Sequence, residues 1–225
     1  MNRRQVAPNL WQFALMPRDL VNVYLAGDVL IDAGGRLGAR RLIGALGGHR
    51  VTAHALTHAH PDHQGASHAI CDSLCVPLWC GQGDREAMEK GDLTTLFPEP
   101  DGWIARAAGR LAGPPQPVER VLVEGDRIAD FEVVETPGHT PGHLAFWRES
   151  DRVLILGDVL FHRNPVTLRA GLVQPFESAT FDPDRNRESA AKLAALEPAI
   201  VCFGHGEPLR DGVHFRQFVA GLGPR

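Results

Sequence analysis

Residues 57–63 read Thr-His-Ala-His-Pro-Asp-His, which sets three imidazoles and a carboxylate within seven positions. A solvated loop gains nothing from such crowding, and a buried one must find a hydrogen-bond partner for every ring. A bound cation is the simplest agent that would hold them together. The spacing bears on how. Helical zinc motifs set two histidines four apart around a glutamate, whereas His58 and His60 are two apart, as on one side of an extended strand. Pro61 disfavours helical geometry at His60 and suits the first turn of a helix, so strand is expected to end near Thr57 and helix to begin near Asp62. At such a corner His58 and His60 point one way and Asp62 with His63 another, a geometry for two adjacent metal ions.

Further donors stand at the ends of later apolar segments. His139 lies in Thr-Pro-Gly-His-Thr-Pro-Gly-His (136–143) after an alternating stretch, Asp158 closes Leu-Ile-Leu-Gly-Asp, and His205 follows Val-Cys-Phe-Gly. Each is a strand-end candidate for a metal ligand. His143 reads equally as a buttress of that site or as a residue of the strand it begins. His49, His54, His68 and His214 fit a turn, a strand and two helices and are expected to be structural or solvated. Cys202 sits in an apolar strand and reads as a buried thiol without a catalytic role.

The elements that must position these groups alternate in kind. Residues 21–35 read as a β-hairpin around Gly27-Asp28, and residues 38–48 carry apolar residues at helical spacing up to a glycine stop. Residues 51–57, 64–75 and 76–80 read as a strand, a helix and a strand, a βαβ unit. Residues 120–128, 131–138, 143–149 and 152–158 read as four short strands in an antiparallel meander. A helix over 185–198, a buried strand over 199–204 and a closing helix over 212–223 complete the pattern. Residues 109–117, rich in Gly and Pro, are expected to form a surface connection, and 161–182 show no clear periodicity.

The ordered set His-x-His-x-Asp-His, then a distant His, an Asp and a His, resembles the metallo-β-lactamase superfamily of binuclear metallohydrolases. The similarity runs from Asp32 in Leu-Ile-Asp-Ala-Gly to His205 and so covers most of the chain. It implies that His58, His60 and His139 hold one metal ion, that Asp62, His63 and His205 hold a second, and that Asp158 bridges the two. Two divalent cations are implied, zinc first, with iron or manganese as the alternatives. A hydroxide between them would be the nucleophile, oriented by Asp62, which would also carry a proton to the leaving group. Asp32 would brace the histidine loop. The implied fold is α/β, a four-layer αβ/βα sandwich of two mixed β-sheets flanked by helices, formed by residues 1–225 as one domain. The pattern of elements agrees with it.

Composition narrows the function. With 225 residues and 44% hydrophobic content a substantial core is expected. Lys and Arg total 23 against 27 Asp and Glu, a formal net charge of −4 with no basic run, which argues against a nucleic-acid partner. Gln12, Pro17 and Arg18 interrupt the early apolar stretch that a signal peptide needs, and no window is long enough to span a bilayer. The four cysteines form no close zinc-type pair, and a reducing cytoplasm fits best. Residues 157–161 are similar to the corresponding segment of glyoxalase II, but His-Arg-Asn-Pro comes next where that family has Gly-Cys-Gly-Arg. The expectation is a cytoplasmic hydrolase of a small ester, thioester or lactone. Phe97 and Trp103 in 82–117, or Phe161, His162, Arg163, Arg169 and Phe176 in 161–176, would wall the pocket. A mononuclear iron sulfur dioxygenase and a non-catalytic metal-binding protein are the alternatives.

Overall fold

The computed structural model describes residues 1–223. Its first sheet is built in chain order from β1 (Asn2–Ala7), β2 (Leu10–Ala14), β3 (Asn22–Ala26), β4 (Val29–Ile31), β5 (Ala53–Ala55), β6 (Leu78–Gly81) and β7 (Arg120–Leu122). The first four strands pair antiparallel, and β4 through β7 pair parallel. Parallel neighbours need crossovers, which α1 (Ala39–Leu46), α2 (Pro61–Gln64), α3 (Ser67–Leu74), α4 (Gln82–Lys90) and α5 (Trp103–Leu111) supply. The second sheet has the order β14-β11-β10-β9-β8. Its strands are β8 (Arg127–Ile128), β9 (Phe131–Glu135), β10 (Leu144–Arg148), β11 (Val153–Ile155) and β14 (Ile200–Cys202). A separate hairpin of β12 (Phe161–Arg163) and β13 (Ala170–Val173), then α6 (Pro183–Ala195), precede β14, and α7 (Gly212–Ala220) comes after it.

Period-two alternation builds the layers. Tyr24 and Ala26 of β3, Phe131 and Val133 of β9, Leu144 and Phe146 of β10, and Val153 and Ile155 of β11 meet in one core between the sheets. The intervening Val23 and Leu25 face α1 and α3 on one outer side. Ala145 and Leu154 face α6 and α7 on the other. Helices therefore flank both sheets, the αβ/βα sandwich expected. Truncating a filled central position such as Phe146 is worth about 3–5 kcal/mol.

Local signals agree with the helix ends. Pro61 opens α2, and Asp182 caps α6 by accepting from the Arg185 N–H with Pro183 in the first turn. Several expectations need correction. Residues 120–128 are not one meander strand: Gly125-Asp126 turns the chain, β7 joins the first sheet in parallel with β6, and β8 begins the second. The helical turn at Pro61 comes a residue earlier than expected, and β5 ends at Ala55, so the histidines sit on an irregular corner. Residues 109–111 finish α5, and the connection begins only at Ala112. The stretch at 161–182 contains the β12–β13 hairpin, and residues 2–14 form a hairpin that had no clear apolar pattern because β1 is exposed over its first half.

Candidate metal centre

The corner from Leu56 to His60 leaves the C-terminal end of β5. It is fastened from two sides. Asp32, at the end of β4, accepts from the Thr57 N–H at 2.8 Å and from the Thr57 hydroxyl, and it accepts from His63 Nδ1 at 2.9 Å. Asp32 itself has φ of 64°, a left-handed conformation that Asp tolerates better than most side chains, held by these bonds. Asp84, buried in the first turn of α4, accepts from the Ala59 N–H at 2.8 Å, the Thr140 hydroxyl at 2.8 Å and the Gly142 N–H at 2.7 Å. One carboxylate thus joins the backbone between His58 and His60 to the loop that carries His139. Burial pushes the Asp84 carboxyl up to about 6 against the pull of those three donors.

These braces also set the protons on the rings. Thr57 spends its hydroxyl hydrogen on Asp32, so His58 Nδ1 donates to the Thr57 oxygen at 3.0 Å. Thr180 donates to the Phe176 carbonyl and accepts from His139 Nδ1 at 3.2 Å. His63 Nδ1 donates to Asp32, and His205 Nδ1 donates to the Leu20 carbonyl. In the neutral form of all four rings the lone pair therefore falls on Nε2. Those four nitrogens converge on one carboxylate oxygen, Asp158 Oδ2, at 3.8 Å from His58, 3.4 Å from His63, 3.6 Å from His139 and 3.0 Å from His205. His60 turns Nδ1 toward His139 Nε2 at 3.0 Å, and the Asp62 carboxylate lies 3.4 Å from His205 Nε2.

Acceptors facing acceptors at these separations need a cation between them, either protons or metal. Burial pushes His60 down to about 4 and holds His58 and His139 well below the ordinary imidazole range, which favours the neutral form that binds metal. Burial opposes charge on His63 and His205 as well, but the carboxylates of Asp158 and Asp62 at both rings, joined by Asp32 at His63, outweigh it and raise both. Asp158 is opposed by burial and lowered well below the carboxylate range by His205 and His63. Among the described residues, His58 Nε2, His63 Nε2 and Asp158 Oδ1 are buried with no hydrogen-bond partner. Gly204 lies so close that a Cβ there would meet Asp158 Oδ1 at 2.0 Å. This donor set fits divalent cations. His58, His60 and His139 form one cluster, His58, His63 and Asp158 a second, and Asp62, His63 and His205 a third, each with ligand atoms within 4.8 Å of one another.

All seven candidates from the sequence are thus brought together. His143 is a buttress: its Nε2 accepts from the Asp158 backbone N–H at 3.1 Å while Nδ1 donates to Thr136, so it fixes the strand end that carries Asp158. Asp84 was not anticipated, although it comes directly after Gly-Gln-Gly. Gly81 and Gly83 let the backbone of 141–142 approach closely, since a Cβ on Gly81 would meet the Gly142 carbonyl at 2.0 Å. His54 is bonded to the Leu30 carbonyl and Ser67 inside the fold, and burial pushes the Cys202 thiol up to about 12.

The cluster floors a cavity of about 1090 Å³. Phe97, Trp103, Phe161 and Phe176 line it, as expected. His162, Arg163 and Arg169 do not: His162 bonds the Glu207 carbonyl in the loop after β14, and Arg163 bonds the Leu168 carbonyl within its own hairpin. Residues 15–38 contribute a wall the sequence did not signal, through Leu15, Met16, Val21, Arg36 and Leu37.

Comparison with known proteins agrees with this geometry. The pattern of the metallo-beta-lactamase superfamily matches residues 16–205. A probable metallo-hydrolase of Bacillus subtilis is 30% identical over 217 residues, covering 88% of this chain and 81% of that protein. A hydroxyacylglutathione hydrolase of Rhodospirillum rubrum is 31% identical over 66% of this chain, which spans 46% of that longer protein. Among solved structures, TTHA1623 in a di-iron-bound form is 31% identical, with a TM-score of 0.68 over 88% of this chain and 93% of its own. No helix among the described residues is long and apolar enough to cross a membrane.

Proposed function

The chain belongs to the metallo-β-lactamase superfamily, and from that membership we propose that it is a metal-dependent hydrolase of a small ester, thioester or lactone. The observation that carries the reading is the convergence of four Nε2 lone pairs on Asp158 Oδ2 at the floor of an open cavity. His58, His60 and His139 would hold one divalent cation, Asp62, His63 and His205 a second, and Asp158 both. Zinc suits these nitrogen and carboxylate donors, and the di-iron neighbour keeps iron as an alternative. Bound ions of this kind lower the pKa of water from 15.7 to about 7 and polarise a carbonyl oxygen.

The chain's own residues support the remaining steps. The oxygen of water bonds to the acyl carbon, the acyl–oxygen or acyl–sulfur bond breaks, and the electron pair leaves with the alkoxide or thiolate. Asp62, whose side chain is 45% exposed on the cavity wall, suits the work of taking the proton from water and handing it to that leaving group. Thr180, Asp32 and the Leu20 carbonyl keep the ring tautomers fixed throughout. The hydroxyacylglutathione hydrolase relative supports a thioester among the three substrate types. The cysteines, all free, fit a reducing cytoplasm.

Purified protein reconstituted with zinc or iron, assayed on thioesters, lactones, simple esters, phosphodiesters and β-lactams, tests the reading. Turnover of at least one of the first three classes is expected, with phosphodiesters untouched. Failure on all three would contradict it.

A further inference from the structure

Resting on the hydrolase reading, we propose that the substrate is an uncharged ester or thioester with an extended apolar acyl chain, held in the groove that leads from the Asp158 cluster to solvent. Nine large hydrophobic side chains are exposed among the described residues, and six of them, Met16, Leu37, Trp103, Leu111, Val166 and Phe176, line this one cavity. Leu37 is 94% exposed, Trp103 79% and Val166 74%. Side chains so exposed contribute almost nothing to the core, and their concentration on three separate segments around one opening marks a surface made to be covered.

Charge decides against a polyanionic carrier. Apart from the clustered aspartates and histidines on the floor, Arg36 is the only ionisable side chain among the described residues that line the cavity. A substrate carrying several carboxylates or phosphates would bring them into a groove whose apolar walls offer a single basic side chain to meet them. An acyl chain meets the opposite conditions: its carbonyl reaches the polar floor, and its methylenes cover the rim. Since the floor of the groove is the reacting cluster, an occupant that stayed there would close the site, which favours a substrate over a second protein.

The test is a series of p-nitrophenyl esters from acetyl to decanoyl on metal-loaded enzyme, with binding of decanol followed by tryptophan fluorescence. Each added methylene should raise kcat/KM about threefold until the groove is filled, so that decanoyl exceeds acetyl by at least about a hundredfold. Trp103→Ala and Leu37→Ser should flatten that rise, lowering decanoyl hydrolysis at least about tenfold more than acetyl hydrolysis. Val213→Ser, exposed but outside the cavity, should alter nothing. A flat profile without decanol binding would overturn the acyl assignment and leave the hydrolase standing. Decanol binding without turnover of any ester, thioester or lactone would remove the hydrolase and keep the apolar groove. A dimer in sedimentation that Leu37→Ser dissociates would assign the rim to a second copy and overturn the proposal.

Discussion

Asp62 and Asp158 show how far a residue's role depends on its surroundings. Asp158 is buried, meets four imidazoles and has one oxygen without a partner, so removing it empties the centre of the cluster. Asp62 touches the same cluster from its exposed edge and carries little of the packing, since its side chain is 45% exposed. Asp62→Asn should therefore lower kcat/KM by about 10²–10⁴-fold while the far-UV spectrum and Tm stay as in the wild type. Retention of more than a tenth of the rate would remove it from catalysis. These residues were legible in the sequence because their order and spacing along the chain are themselves the signal. Of the groups that orient them, Asp32 and, as one of two readings, His143 could be read, but the others could not. Thr57, Thr136 and Thr180 are ordinary hydroxyls until folding brings each to a ring nitrogen, and the Leu20 carbonyl has no side-chain identity to read.

Elements matter here chiefly through their ends. Strands β4, β5, β9, β11 and β14 each lead into a loop that bears a ligand or a brace, and α4 contributes Asp84 from its first turn. Two loops distant in sequence, around residues 59 and 140–142, are held in register by that one carboxylate. In Asp84→Asn, one oxygen becomes an NH2 group facing donors that have no other acceptor here. Metal affinity, measured by competition with a chelator, should fall about 10–100-fold, and stability by about 1–3 kcal/mol. Unchanged affinity would mean that the two loops hold themselves. The strongly periodic helices and the βαβ unit could be read directly, whereas the division of 120–128 between two sheets could not. Both halves have strand character, and only the tertiary partner distinguishes parallel pairing with β6 from antiparallel pairing with β9.

At the scale of the molecule, the sandwich gathers the strand-end loops of both sheets at one opening and leaves a cavity of about 1090 Å³ above them. The sequence indicated two of its three walls, because Phe97, Trp103, Phe161 and Phe176 stand out in loop-like stretches, while Leu37 and Met16 look like scattered surface residues. Everything proposed for this cavity depends on a two-ion centre joined by Asp158. Elemental analysis of untagged protein, alongside its hydrolytic rate and an oxygen electrode, tests that most directly. About two metal ions per chain are expected in the wild type, and at most one with almost no hydrolysis in Asp158→Ala. His49→Ala, beside Trp11 and away from the cluster, should change neither. One metal ion per chain with full hydrolysis, or substrate-dependent oxygen uptake, would contradict it.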